Sequence, residues 1–158
     1  MSSAVADKNR ELVITRIFDA PRELVWQAWT DQAHVAQWWG PKGFTCPLCE
    51  LDVRPGGLIR IDMRAPDGAV YPMKGVFREI AAPERLVFTS SALDKEGKPM
   101  FEVLTTILFA DKNGKTMLTM QARVLTATEA AAPHLAGMEL GWTQTLDRLG
   151  HYVTTMRK

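Results

Sequence analysis

The stretch TEAAAPHLAGMELGWTQTLDRLGHYVTTM, residues 128–156, decides how the rest of the chain must be arranged. Its large apolar side chains recur every three or four residues, which is the period of an α-helix. They are Leu135, Met138, Trp142, Leu146, Leu149, Val153 and Met156. A helix of about six turns with a single apolar stripe needs a broad partner. The sequence therefore predicts a long terminal helix packed on another layer.

Three glycines, Gly137, Gly141 and Gly150, lie beside this stripe. Each costs about 1 kcal/mol relative to alanine inside a helix. Packing must therefore stabilise the helix, and we expect the glycines to let neighbouring backbone approach its flanks.

The composition is that of an ordinary globular protein. The chain has 158 residues, 46% of them hydrophobic, with 19 basic and 18 acidic side chains. That length predicts one domain with its own core. No basic cluster indicates nucleic acid, and no apolar run approaches the roughly 18 residues that span a membrane. Residues 1–10 resemble a short flexible N-terminus without a signal peptide, so we expect a cytoplasmic protein.

The two cysteines form a Cys46-Pro47-Leu48-Cys49 motif. A zinc site needs four ligands, and the three histidines of the chain are scattered without a matching spacing. A redox motif of this spacing normally opens a helix, whereas this one leads into an alternating strand pattern. We therefore predict two reduced, apolar thiols, and neither a metal nor a cofactor.

The first third of the chain alternates between strand and helix signals. Residues 11–18 are rich in β-branched side chains and predict a strand that stops at Pro21. A helix to about Thr30 should bury Val25, Ala28 and Trp29. Asp31 is a good N-cap for a second short helix, which Gly40-Pro41 ends.

From there to Leu125 the sequence predicts strands and turns. Strand patterns cover 49–54, 58–64, 70–80, 85–91, 101–110 and 116–125. The turn at Asn113-Gly114 is the strongest hairpin signal. Alternation predicts inward side chains at Ile59, Ile61, Met63, Phe77, Leu86, Phe88, Val103, Ile107, Phe109, Leu118 and Met120. An antiparallel meander of this kind must cover one face, and only the terminal helix is long enough.

Five segments in this order resemble the Aha-type branch of the START-like (SRPBCC) superfamily, which is named after an activator of a heat-shock chaperone ATPase. They are 11–31, Trp38-Trp39-Gly40-Pro41, Asp52-Val53-Arg54-Pro55-Gly56-Gly57, residues 63–68, and Gly141-Trp142 with Leu146 and Leu149. The resemblance implies an α+β helix-grip fold, with a curved antiparallel sheet of six to seven strands around the C-terminal helix and two short helices after the first strand. Residues 11–158 would form this single START-like domain.

The resemblance also implies a hydrophobic cavity between sheet and helix, because its members include ligand carriers as well as cyclases. The candidate ligand-binding residues are Trp39, Met63, Phe77, Phe88, Met120, Met138, Trp142 and Leu146. Aromatic and methionine side chains suit an apolar small molecule, since methionine adapts to varied shapes. A tightly packed core is the alternative. We predict binding of an apolar or aromatic ligand, and we assign no catalytic residue.

Two other functions stay open. A cyclase or hydratase could use His151 or Glu79 as acid or base, and Arg16 and Tyr152 could also face the cavity. Asp52 and Arg54, by contrast, should form a structural pair, and His34 an ordinary surface position. The second is a chaperone partner with a role in the stress response, acting through surface contacts; it is the less expected function, because the separate N-terminal domain of eukaryotic chaperone activators is missing. The resemblance allows a homodimer.

Overall fold

The computed structural model describes residues 11–94, 96–128 and 137–156. Within them the chain forms seven strands and three helices in the predicted order. The strands are β1 Glu11–Phe18, β2 Thr45–Leu51, β3 Leu58–Arg64, β4 Val70–Ala81, β5 Arg85–Ala92, β6 Phe101–Lys112 and β7 Lys115–Ala127. The helices are α1 Arg22–Thr30, α2 Gln32–Trp38 and α3 Met138–Met156.

The seven strands form one curved antiparallel sheet in the order β1-β7-β6-β5-β4-β3-β2. Consecutive strands from β2 to β7 are neighbours, and β1 closes the far side by pairing with β7. The β6–β7 hairpin turns through Asn113 and Gly114, which have positive φ angles of 56° and 85°. Two such residues match the twist of the strands, so the hairpin prediction is confirmed.

The inner face of the sheet packs against α3 and forms the core. Of the side chains predicted to point inward, all are buried except Met63, which is half-buried. Leu146, Leu149 and Val153 on α3 are completely buried against them. The helix also packs on α1, α2 and β1. The predicted helix-grip arrangement is therefore confirmed.

The two short helices meet at Asp31. Its carboxylate accepts a hydrogen bond from the backbone N–H of Ala33 at 2.9 Å, which confirms the predicted N-cap of α2. The first helix buries Val25, Ala28 and Trp29, as its pattern predicts. Both helices therefore bring tryptophans to the same end of the core.

Three predicted boundaries are wrong or lie outside the described residues. Thr128 is not helical, because its N–H and hydroxyl both donate to the carbonyl of Met100. Leu135 of the predicted stripe lies outside the described residues, as do residues 1–10. The strand predicted at 49–54 begins earlier, at Thr45, and ends at Leu51.

The glycines of α3 contact side chains rather than the neighbouring backbone that we expected. A Cβ on Gly150 would lie 3.1 Å from Cε1 of Phe18, so this glycine makes room for an aromatic ring. A Cβ on Gly141 would meet only the Pro41 ring, at 3.8 Å. Gly150 therefore occupies a crowded position and Gly141 an open one. Among the described residues, no helix is both long and apolar enough to cross a membrane.

Candidate functional site

A cavity of about 350 Å³ lies between the sheet and the first two turns of α3. Three parts of the fold enclose it: the inner face of β3 to β6, the N-terminal part of α3, and the loop that follows α2. This volume is at the lower end of the range typical of small-molecule pockets, about 300–1,000 Å³.

The sheet forms the floor and one side of the cavity. Its lining side chains are mostly apolar, with methionine and aromatic residues prominent. They are Met63, Tyr71, Pro72, Met73, Ser90, Ala92, Phe101 and Val103 on the strands, with Leu93 and Met100 in the β5–β6 connection. On β5 the small residues Ser90 and Ala92 follow Leu86 and Phe88 on the same face. This change from large to small side chains leaves the space that the cavity occupies.

The opposite wall combines α3 with the loop after α2. It consists of Met138, Gly141, Trp142 and Thr145 from the helix, of Gly137 just before the helix, and of Trp39, Gly40, Pro41 and Phe44 from the loop. The rings of Trp39 and Trp142 meet edge to face with centroids 5.4 Å apart, a favourable aromatic geometry. Trp142 also stacks on Trp29. The tryptophans thus join the cavity wall to the buried aromatic core.

Arg148 fixes the loop to α3. Its Nη1 donates to the carbonyl oxygens of Gly40 at 2.9 Å and Pro41 at 3.1 Å, and more weakly to that of Trp39 at 3.4 Å. Its Nη2 donates to the carbonyl of Gln37 at 3.3 Å. A cation at a helix C-terminus also interacts favourably with the helix dipole. Arg148 therefore positions the loop that carries Trp39 into the wall.

Gly40 has a φ of 105°, a conformation that other residues rarely adopt. A Cβ at this position would lie 3.1 Å from Cβ of Phe44 and 3.4 Å from Sδ of Met63. The Trp38-Trp39-Gly40-Pro41 segment therefore needs glycine both for its turn and for its close packing against the cavity wall.

The eight candidate ligand-binding residues separate into two groups. Trp39, Met63, Met138 and Trp142 line the cavity. Four others pack in the core away from it: Phe77, Phe88, Met120 and Leu146. Phe77 and Phe88 border a separate void of only about 20 Å³, which is little more than the space of one water molecule. The inward direction of these side chains was predicted correctly, but their position relative to the cavity was not.

Several lining residues were not anticipated. Phe44 lies in the α2–β2 loop, Met100 lies just before β6, and Tyr71, Met73 and Phe101 lie on strands. Tyr71 and Met73 share strand parity with the predicted Phe77, so alternation indicates their face. The position of α3 over the sheet decides which of these side chains reaches the cavity. No local sequence pattern predicts that position.

The candidate acid–base residues do not line the cavity. His151 is exposed on α3, and Glu79 is exposed and forms an ion pair with Arg85 at 3.1 Å. Arg16 pairs with Asp147 at 3.3 Å. The hypothesis that these side chains point into the cavity is therefore wrong, because each contacts solvent or an exposed partner instead.

His34 has a partner that the sequence did not predict. Its Nδ1 lies 2.6 Å from the hydroxyl of Tyr152, which joins α2 to the last turns of α3. Burial raises the pKa of Tyr152, and the negative charge of Asp31 adds to the rise. Tyr152 therefore faces this helix–helix contact and not the cavity.

The cysteines lie together on the inner side of β2. An irregularity between Thr45 and Leu48 inserts an extra residue, so Cys46 and Cys49 both pack against the core despite their odd spacing. Both thiols are free, and Cys46 Sγ donates to the carbonyl of Trp39 at 3.4 Å. Burial raises the pKa of both thiols, that of Cys49 to about 12. Such thiols are poor nucleophiles at neutral pH.

Asp52 and Arg54 form the predicted ion pair, at 2.8 Å, although they lie after the end of β2 rather than within it. Both side chains are well exposed, so the pair stabilises the turn only weakly. The described residues contain no group of three or more His, Cys, Asp and Glu side chains that could hold a metal ion.

The arrangement of sheet, grip helix and cavity defines a helix-grip protein of the START-like class. The family model of Activator of Hsp90 ATPase homolog 1-like proteins matches residues 19–154, and the chain belongs to this family. No curated protein matches the sequence.

Solved structures agree with this assignment. A Nitrosomonas europaea protein is 28% identical, with a TM-score of 0.79 over 93% of this chain and 96% of its own. A Chromobacterium violaceum protein is 29% identical, with a TM-score of 0.78 over 90% and 96%. The AHSA1 protein from Silicibacter pomeroyi, at 24% identity, has a TM-score of 0.77 over 93% and 99%, and shows the shared fold.

Proposed function

We propose that this protein binds an apolar or aromatic small molecule in the cavity between the sheet and α3. One observation carries the proposal: a cavity of about 350 Å³ adjoins a core that is otherwise closely packed. Protein interiors normally leave few voids larger than a water molecule. Water binds poorly in a space of this size with apolar walls. An apolar ligand is therefore favoured there.

Binding is favoured over catalysis by the chemistry of the walls. General acid–base catalysis requires an ionisable side chain within hydrogen-bond reach of the substrate. The phenol of Tyr71 is the one titratable side chain among the described lining residues, and Tyr71 is 40% exposed. A cyclase or hydratase activity is therefore the less supported alternative.

A fluorescent probe tests the proposal. The neutral dye N-phenyl-1-naphthylamine should bind the purified protein with increased emission. Gly141→Leu should weaken binding at least about tenfold, because the new side chain extends from an open position into the cavity. Glu139→Leu adds the same side chain at an exposed position of the same turn and should leave binding unchanged.

Two results would contradict the proposal: absence of dye binding to the unmodified protein, or equal binding to both leucine variants. Circular dichroism and thermal unfolding of each variant establish that it is folded. Native mass spectrometry of protein purified without stripping would show whether a small molecule accompanies it.

The family description names an activator of the Hsp90 ATPase, and we do not extend that activity to this chain. A measurement of chaperone ATPase rate at saturating protein tests the point, with an unchanged rate expected. A cytoplasmic location and a homodimer stay predictions from the sequence.

A further inference from the structure

We propose that the ligand is an uncharged molecule of two or three rings with one hydrogen-bonding group, and that this group contacts the hydroxyl of Ser90. The inference rests on the proposed binding function and adds the chemical class of the ligand. Three properties of the cavity carry it: the absence of charged side chains among its described lining residues, the position of its hydroxyl groups, and its volume.

The described part of the cavity wall carries no charged side chain. None of the nineteen described residues that line the cavity is Asp, Glu, Lys, Arg or His. The nearby guanidinium of Arg148 lies behind the wall, where it already donates to backbone carbonyls of Gln37, Trp39, Gly40 and Pro41. An ionised ligand would lose its hydration without gaining a counter-charge, which is strongly unfavourable. The cavity therefore selects against carboxylates and ammonium groups.

Three hydroxyl groups belong to described lining residues, and they differ in availability. Tyr71 is 40% exposed at the mouth, so water can hydrate its hydroxyl. The hydroxyl of Thr145 donates to the carbonyl of Gly141 at 2.7 Å. Ser90 is half-buried on the inner face of β5, and its hydroxyl has no hydrogen-bond partner among the described residues.

The surroundings of Ser90 explain why it has none. Its cross-strand neighbours are Gly75 on β4 and Val103 on β6, and neither side chain can donate or accept a hydrogen bond. A half-buried hydroxyl without a protein partner is stabilised when a ligand supplies one. Ser90 can act as donor or acceptor, so it can recognise a hydroxyl, a carbonyl or an ether oxygen.

The volume sets the size of the ligand. An engineered apolar cavity of about 150 Å³ binds benzene, which has a single ring. The present cavity, at about 350 Å³, is a little more than twice as large. A ligand of two or three rings would fill it, and the flat faces of Trp39 and Trp142 suit aromatic rings.

Three ligands of one shape test the inference by calorimetry at pH 7: naphthalene, 2-naphthol and the anion 2-naphthoate. We expect 2-naphthol to bind about fivefold more tightly than naphthalene, since it adds one hydrogen bond. We expect 2-naphthoate to bind at least about tenfold more weakly than 2-naphthol, since its charge is buried without a partner.

Ser90→Ala should remove the advantage of 2-naphthol and leave naphthalene binding unchanged. Ser91→Ala is the matched control, because Ser91 is the next residue of β5 and alternation directs it to the outer face. It should bind all three ligands like the unmodified protein.

Each contrary outcome has a distinct meaning. Equal affinity for 2-naphthoate and 2-naphthol would overturn the selection against charge. An undiminished preference for 2-naphthol in Ser90→Ala, or no preference in the unmodified protein, would overturn the role of Ser90 while the binding function stands. Binding of N-phenyl-1-naphthylamine, which has three rings, without binding of any of the three naphthalenes would overturn the lower limit of two rings. Binding of none of the four compounds would overturn the proposed function as well.

Discussion

The guanidinium Nη1 of Arg148 on α3 lies 2.9 Å from the carbonyl oxygen of Gly40, just beyond the end of α2. This contact joins two elements that are more than one hundred residues apart in the chain. It closes one side of the cavity, because Gly40 and its neighbours Trp39 and Pro41 form the wall there.

We therefore expect Arg148→Met to lower the free energy of unfolding by about 1.5–3 kcal/mol, the range for hydrogen bonds from a charged donor. Urea unfolding measures the change. Arg123→Met is the control, since Arg123 is exposed on β7. If the free energy of unfolding falls by the same amount in both variants, the Arg148 contacts do not stabilise the loop.

Substitution by alanine should change the free energy of unfolding in opposite directions at the two glycines of α3, Gly141 and Gly150. Gly141→Ala is expected to raise the free energy of unfolding by up to about 1 kcal/mol, because the position is open and alanine favours the helix. Gly150→Ala forces a Cβ to within 3.1 Å of the Phe18 ring, and overpacking costs about 1–3 kcal/mol. Its net effect should therefore be destabilising.

A second substitution tests the cause of this difference. In the Gly150→Ala background, Phe18→Leu should cost less than it does in the unmodified protein, because it relieves the contact. If the two substitutions change the free energy of unfolding additively, the contact with Phe18 is not the reason why residue 150 is a glycine.

Cys49 should make stability sensitive to alkaline pH. Burial raises the pKa of its thiol from 9.0 to about 12, and the neighbouring Cys46 adds to the rise. Because the folded pKa is the higher one, the contribution to stability is complete below about pH 9 and is lost as the pH rises towards 12. The free energy of unfolding, measured from pH 8 to 11, should fall more steeply for the unmodified protein than for Cys49→Ala. Parallel curves would contradict this prediction.

The contact between His34 and Tyr152 should stabilise the packing of α2 on α3. Tyr152→Phe removes a hydroxyl that lies 2.6 Å from His34 Nδ1, and we expect a loss of about 0.5–1.5 kcal/mol in thermal or chemical unfolding. Tyr71→Phe removes a hydroxyl at an exposed site and should have little effect on unfolding. An equal loss in both variants would mean that the helix contact contributes nothing specific.

Local sequence patterns predicted the sheet well, because the alternation of side chains is a property of each strand alone. Ile59 and Ile61, like Leu118 and Met120, point inward as expected. The hairpin at Asn113-Gly114 was also recognisable, since few other residues tolerate positive φ.

The cavity was only partly predictable, because its position depends on how α3 lies across the sheet. Met63 and Met120 have the same inward pattern, yet Met63 lines the cavity and Met120 is completely buried in the core. The hydrogen-bond partners of Arg148 could not be predicted either, since a helix pattern gives no information on contacts to backbone carbonyls so distant in sequence. Such long-range packing decides where space is left.

The pairing of β1 with β7 has a consequence for how the protein is made. A ribosome delivers β1 about a hundred residues before β7, its neighbour in the sheet among the described strands. The strands from β2 to β6 can pair with their neighbours as they appear, but β1 must wait for residues 115–127. The tryptophans of α1 and α2 stay without their helical cover until α3 follows. The described fold is therefore completed only after α3 has been synthesised.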